Sequence, residues 1–345
     1  MWGLKAGHSF ATLVAIGVAA AGIVGLIGSG AAMGAPRFKP PPINKNVTIS
    51  NGGLSVTFNI AWGAVVVGIS NKNIAHGLNM VDYHDVGREL QVDQFVYWNK
   101  PGRQPLLVNP TQAGAEGYQG YYKHPHGIAI RQKGSPVVRW KAGRHHFFAV
   151  IRPWDYDTGN PTDWIYTESV NIDRHGVAHF QYVFRRHGHG TFRMNTEIPT
   201  LYSDRTDAFM YPTLNPYVHN AASRRCAKTG HWPVRRIGRT PRWGSIHTVS
   251  KGWIANIDSV NNIGIFYTTP VGLPEMMGCF PGAGVSDHLP LGKTNVAGMY
   301  LLCRPREVYS VRFAVLVATP QTGPGLISRQ APAQLRINGK IWHRH

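Results

Sequence analysis

At 345 residues the chain can form one large domain or two ordinary ones, with ample core-forming material. Charged residues are only 15% of it, while 39 Gly and 24 Pro punctuate the sequence, which suits an all-β protein with many turns better than a helical bundle. The formal net charge of +19, to which 17 His would add in acid, favours anionic partners: nucleic acid, anionic lipid or an acidic polysaccharide.

The same excess also fits plain solubility in an acidic medium. The charges are scattered, clustering only at Arg185-Arg186 and between Arg224 and Arg242. No nucleic-acid-binding motif accompanies them, so nucleic acid is not expected as a partner.

Lys5 and His8 precede an uncharged stretch, 9–35, ending in the small residues Ala32-Met33-Gly34. This reads as a secretory signal peptide or, left uncleaved, a membrane anchor over 1–35, with the folded part secreted or periplasmic. Membrane contact is then expected only through that segment. A Pro-rich linker follows at 36–45, then a single domain over 46–325 and a C-terminal tail over 326–345. Cys226, Cys279 and Cys303 allow at most one internal disulfide; Cys279 and Cys303 flank a Gly- and Pro-rich excursion and form the expected pair.

Strands are expected at 47–50 and 54–60, joined as a hairpin by Asn51-Gly52-Gly53, and at 62–69, buried on both faces. Then comes the densest polar stretch of the chain, 79–98, with a second cluster at 109–114. Between them they hold Asp82, His84, Asp85, Arg88, Glu89, Gln91, Trp98 and Asn109. Residues that move protons, pair with carboxylates and grip hydroxyls mark this stretch as the lip of a binding site. Short strands follow at 127–133, 136–141 and 146–152. The clearest hairpin joins 164–173 to 177–186, with Ala178, Phe180, Tyr182 and Phe184 on one face. A strand at 192–202 carries Glu197, and the pattern then dissolves into a basic, Pro-rich loop over 204–244. Strand rhythm returns at 245–249, 253–258 and 263–269. After a long loop over 278–293, strands at 295–303 and 308–319 close the sheet, the last with Tyr309, Val311, Phe313, Val315 and Val317 on one face. About fifteen strands at steady spacing, with no fixed repeat, predict one large antiparallel sandwich.

Arg88 offers a guanidinium fork for a sugar hydroxyl or carboxylate, or else forms a structural ion pair with Asp82, Asp85 or Glu89. The Gln91 amide and Asn109 suit hydroxyl recognition. Glu197 sits in an otherwise apolar strand before Ile198-Pro199, where burial would raise its pKa for acid or base work and the proline implies an edge or a bulge. The alternative for Glu197 is a strand-end pairing with Arg193 or Arg205. His84 and His126 are candidate proton-transfer groups, and His124 a substrate contact. Tyr122, Tyr202 and Trp98 supply flat surfaces for sugar rings. No metal-ligand spacing, phosphate loop, dinucleotide fingerprint or serine-hydrolase elbow is present, so no metal site or cofactor is expected, although a calcium ion among the Asp residues stays open.

The run from Trp62-Gly63 to Gly68, Asn79, and Gly87-Arg88 leading into a strand resembles the opening of galactose-mutarotase-like proteins. That resemblance implies a large antiparallel β-supersandwich and a link to carbohydrate. In aldose epimerases of this kind an arginine holds the sugar, two histidines act on the ring oxygen and a late glutamate is the base. Arg88 matches the arginine, and His124 or His126 could stand for one histidine. Glu275 and Glu307 are the only glutamates after Glu197, and neither fits the base. The runs Asn109–Gly114 and Glu197–Tyr202 look like marks of a separate secreted family of this architecture. The expectation is therefore an exported protein that binds, and as a hydrolase or lyase cleaves, a polysaccharide or oligosaccharide, with an anionic polymer favoured by the charge. In a lyase Arg88 would neutralise a uronate while a His or Tyr takes the proton. A hydrolase would pair Glu197 with Asp82, Asp85 or Glu89. The alternative is a non-catalytic glycan-binding envelope or surface protein.

Overall fold

The computed structural model describes residues 46–82, 90–97, 106–109, 135–155, 162–189, 191–212, 222–225, 243–246, 252–271, 275–280, 291–295 and 298–341. These form 22 strands and one five-residue helix. In chain order the first ten strands are β1 (Asn46–Asn51), β2 (Leu54–Asn59), β3 (Val65–Asn71), β4 (Leu90–Tyr97), β5 (Leu106–Asn109), β6 (Val137–Ala142), β7 (His146–Ile151), β8 (Trp154–Asp155), β9 (Trp164–Ile172) and β10 (Ala178–Arg186). The central part holds β11 (Phe192–Asp204), β12 (Ala208–Tyr211), β13 (Ala222–Arg225), β14 (Trp243–Ile246), β15 (Trp253–Asp258) and β16 (Ile263–Thr268). Last come β17 (Glu275–Phe280), β18 (Leu291–Asn295), β19 (Gly298–Cys303), β20 (Val308–Ala318), α1 (Gly323–Ile327), β21 (Gln334–Ile337) and β22 (Lys340–Ile341).

Every pairing is antiparallel, and the strands divide into two eleven-stranded sheets. The first runs β1-β2-β3-β4-β11-β18-β17-β14, with β19 also on β11, β5 on β4 and β8 on β5. The second runs β13-β12-β15-β16-β20-β10-β9-β7-β6, with β21 on β20 and β22 on β21. The expected large antiparallel β-sandwich is the fold observed.

Strict alternation explains which face each strand buries. On β10, Ala178, Phe180, Tyr182 and Phe184 are all buried, as are Tyr309, Val311, Phe313, Val315 and Val317 on β20. They join Ile49, Val56, Phe58, Val66 and Ile69 of the first sheet in one core between the sheets, where Phe58 stacks on Phe147 with ring centroids 3.8 Å apart. The C-terminal half of β20 is buried on its other face too. Ala314, Leu316 and Ala318 pack with Phe266 and with Ile327 of α1 in a second, smaller core.

Several expectations need correcting. The span 62–69 does not begin as a strand: Ile60–Trp62 form a 3-10 turn, and the strand starts at Val65. The loop expected over 278–293 is flanked by β17 and β18, which pair with each other from Met277–Thr294 to Phe280–Leu291. The basic stretch 204–244 contributes β12, β13 and the start of β14. Residues expected as a tail after 325 include β21, which pairs with the first half of β20 from Tyr309–Ile337 to Arg312–Gln334. The pairing of Cys279 with Cys303 also fails. Cys303 lies opposite Phe192 at one end of β11, while Cys279 is linked through Gly292 of β18 to Ser203 near the other end. That is roughly 35 Å along the strand, where a disulfide needs Cα atoms within about 7 Å. Residues 1–45 and Cys226 lie outside the described residues, and so do the expected signal or anchor segment and the linker.

Candidate functional site

Of the proposed site residues, His84, Arg88, Trp98, Tyr122, His124 and His126 lie outside the described residues. The backbone positions of Gln91, Asn109 and Glu197 are described, and Tyr202 is half-buried. Long-range pairing gathers the first three. β4 runs antiparallel to β11, with Gln91 opposite Thr200 and Asp93 opposite Glu197. β5 lies on the other side of β4, where Val108, beside Asn109, faces Gln94. Gln91, Asp93, Asn109 and Glu197 thus occupy three neighbouring strands. Asp93 went unnoticed in the sequence because nothing local says which strand lies opposite Glu197.

Glu197 stands at a break on both sides of β11. Toward β4 the register shifts between Glu197 and Thr200. On the opposite side β11 changes partner, with Glu197 facing Gly298 of β19 and Thr200 facing Asn295 of β18. Pro199 lies in this interval and is buried. Proline has no N–H for a ladder, so a central strand accommodates it only where pairing is interrupted. The sequence admitted an edge or a bulge for Pro199, and the structure has a bulge in a central strand. Bulges of this kind bend a strand and re-aim its side chains beside many active sites.

The C-terminal end of β11 is anchored to the second sheet by buried polar contacts. Asn256 Nδ2 donates to Ser203 Oγ at 2.6 Å, and the Tyr267 hydroxyl donates to Asn256 Oδ1 at 3.2 Å. The Ser203 and Thr206 hydroxyls lie 2.6 Å apart. Such a network fixes the strand and so positions Tyr202, whose carbonyl accepts from the Asp82 N–H at 3.0 Å. Asp82 is buried, 1% exposed.

Asn79, at the start of the polar stretch, has a structural role. Its Oδ1 accepts from the N–H groups of Ile69 and Val81, at 2.9 and 3.1 Å. Its Nδ2 donates to the carbonyls of Val67 and Val81, at 3.0 and 3.1 Å. The amide supplies β3 with the hydrogen bonds that a neighbouring strand would otherwise make.

A second buried acid went unread. Glu168 occupies an inward position of β9 and is 1% exposed, between Tyr166 and Tyr182. The signal was present: Trp164, Tyr166, Glu168, Val170 and Ile172 alternate in one phase, and all are buried. Burial pushes the Glu168 carboxyl up to about 8, against the pull of its hydrogen bond from Tyr182. Among the described residues no group of three His, Cys, Asp or Glu comes together to hold a metal ion. Asp85, one of the acids behind the calcium expectation, is outside them.

No protein-family model and no curated protein matches the sequence. Solved structures similar in fold include an aldose epimerase homologue from C. elegans, at 13% identity and a TM-score of 0.46, over 79% of this chain and 98% of that one. A galactose mutarotase-like protein from Lactobacillus casei gives 11% identity and a TM-score of 0.45, over 79% and 100% of the two chains. A 4-α-glucanotransferase from Thermococcus litoralis gives 7% identity and a TM-score of 0.41; 79% of this chain is covered, but only 37% of that one. These likenesses are of sheet architecture and carry no residue roles to this chain.

Proposed function

We propose that the chain is an exported carbohydrate-active protein that binds a polysaccharide across β4, β5 and β11 and cleaves it there. The observation that supports this is the register of β4 on β11, which sets Asp93 opposite Glu197 at the bulge around Pro199. Glycoside hydrolysis uses two carboxyl groups: one protonates the leaving oxygen while the other acts as base or nucleophile. In this reading Asp93 takes the place of Asp82, Asp85 or Glu89 as the partner of Glu197. Gln91, Asn109 and Tyr202 hold sugar hydroxyls and a ring face, as amides and aromatics do in sugar clefts. Elimination on a uronate polymer, with Arg88 neutralising the carboxylate and a His or Tyr taking the proton, is the other route to cleavage.

The test is incubation with a panel of neutral and anionic polysaccharides, read for new reducing ends and for the absorbance of unsaturated uronates. Wild-type chain releases reducing ends; Glu197→Gln and Asp93→Asn each lower the rate by at least about a hundredfold, with Tm close to wild type. Unsaturated products would replace hydrolysis by elimination. Retention on a polysaccharide column with no product from any member of the panel would leave a glycan-binding protein without turnover.

A further inference from the structure

The outer face of the second sheet is not used by the site on β4 and β11. Six of its strands, β6, β7, β9, β10, β20 and β21, contain one carboxylate among them, Glu168, and that side chain points into the core. The outward positions carry cations. One row reads Lys141, Phe148, Ser169, Gln181, Arg312 and Gln334, opposed strand by strand. The next reads Arg139, Val150, Thr167, Val183, Ser310 and Arg336. Arg139, Lys141 and Arg312 are exposed, as is Arg185 further along β10. Arg139 and Arg336 therefore end the second row, about 24 Å apart across five strand spacings, Lys141 and Arg312 stand near the ends of the first, and hydroxyl, amide and apolar side chains lie between them.

Few local anions compete for this face. Asp173, in the turn between β9 and β10, already pairs with His179 at 3.1 Å. Asp163 pairs with Arg186, whose side chain is buried on the inward side of β10. Arg139 lies over the Phe148 ring with its guanidinium 5.6 Å from the centroid, which holds the charge flat against the sheet.

We propose that this outer face is a docking surface for an acidic polysaccharide, separate from the site on β4 and β11. Charge complementarity selects an anion. The spread of the two rows across six strands selects a polymer lying across the strands over a compact anion. The hydroxyl and amide groups of Ser169, Gln181, Thr167 and Ser310 match a ligand that carries many hydroxyls as well as its charges. A lipid surface would call for exposed apolar side chains among the cations; here Val150 and Val183 are only partly exposed between polar neighbours, and the exposed Val138 and Trp140 of edge strand β6 alternate with Arg139 and Lys141 and so belong to the other face. A single-stranded nucleic acid would call for a run of exposed aromatics, and the two rows hold only Phe148, partly buried beneath Arg139.

The net charge of +19 would draw any polyanion, so the experiment compares two triple variants of the full chain with equal loss of charge. One is Arg139→Gln, Lys141→Gln and Arg312→Gln; the other, on exposed cations outside the two rows, is Lys72→Gln, Arg306→Gln and Arg329→Gln. Binding to polygalacturonate at physiological salt is measured by calorimetry, beside dextran, phosphatidylglycerol vesicles and duplex DNA. The first variant weakens polygalacturonate binding on the order of tenfold, from three exposed ionic contacts, and the second leaves it within about twofold. Equal weakening by both variants would show diffuse attraction and overturn the assignment, as would tighter, face-dependent binding to vesicles or DNA. Binding is read without turnover, so the comparison of the two triple variants tests this surface even if no polysaccharide is cleaved.

Discussion

Glu168 is a carboxyl sealed in an apolar core, with Oε1 accepting from the Tyr182 hydroxyl at 3.2 Å and Oε2 without a hydrogen-bond partner. The neighbouring Tyr166 hydroxyl is also buried, and burial raises the pKa of both tyrosines well above their ordinary range. The folded protein holds the Glu168 proton up to about pH 8. The unfolded chain releases it near pH 4.5, the ordinary value for a glutamate. Between those limits the folded state binds the extra proton, so stability falls as pH rises through this window and the loss is complete above it. A shift of this size corresponds to several kcal/mol. Glu168→Gln keeps the shape and an acceptor for Tyr182 and removes the titration. Its Tm should track wild type near pH 5 and exceed it by a few degrees near pH 8.5. Parallel Tm-against-pH curves for the two proteins would mean that Glu168 is ionised in the fold.

At the scale of elements, two hairpin turns fasten the sheets together at one end. Gly52, between β1 and β2, has φ +55°, and a Cβ there would come within 2.3 Å of Gly176 N in the turn between β9 and β10. Gly176 has φ +75°, and a Cβ on it would meet Gly52 O at 2.8 Å. Asn51 Nδ2 crosses the same gap to the Ile172 carbonyl at 3.0 Å. Gly52→Ala combines a left-handed conformation with a backbone collision and should cost about 2–4 kcal/mol, read from urea denaturation. A loss under about 0.5 kcal/mol would show that the turns do not bear on each other. Both hairpins were legible in the sequence, because a Gly-bearing turn between alternating strands is a local signal. The faces of β10 and β20 were legible for the same reason. The contact between the two turns was not, nor was the pairing of β4 with β11, since the partners are separated by about a hundred residues and alternation does not say which strand lies beside which. Glu197, Gln91, Asn109 and Tyr202 were therefore picked out one by one, while Asp93 was seen only when the register was known. The role of Asn79 was not legible either, because an amide that completes a backbone ladder has the same composition signal as one that binds a ligand.

For the whole molecule, the question is how far the domain extends, since composition alone ended it at 325. Pro324 and Pro332 gave that stretch the look of a tail, yet Pro324 lies in the first turn of α1, where its missing N–H costs nothing. Beyond it Ile327, Ala333 and Leu335 are buried at 0%, 5% and 2% exposure. Ala333 N–H donates to the Thr269 carbonyl at 3.2 Å, and Asn338 Oδ1 accepts from Val308 N–H at 2.9 Å. β21 thus covers the first half of β20, the strand whose other edge pairs with β10 at the centre of the second sheet. Removing residues 330–345 would expose a central strand along an unpaired edge and open the core at Leu335, so the shortened chain should lose its cooperative transition or aggregate. Because deletion is a blunt change, Leu335→Ala is the finer probe: a buried Leu truncated in a closed core costs about 2–4 kcal/mol. A true appendage predicts the opposite, an unaltered Tm for both proteins in calorimetry, and that result would return the boundary to 325.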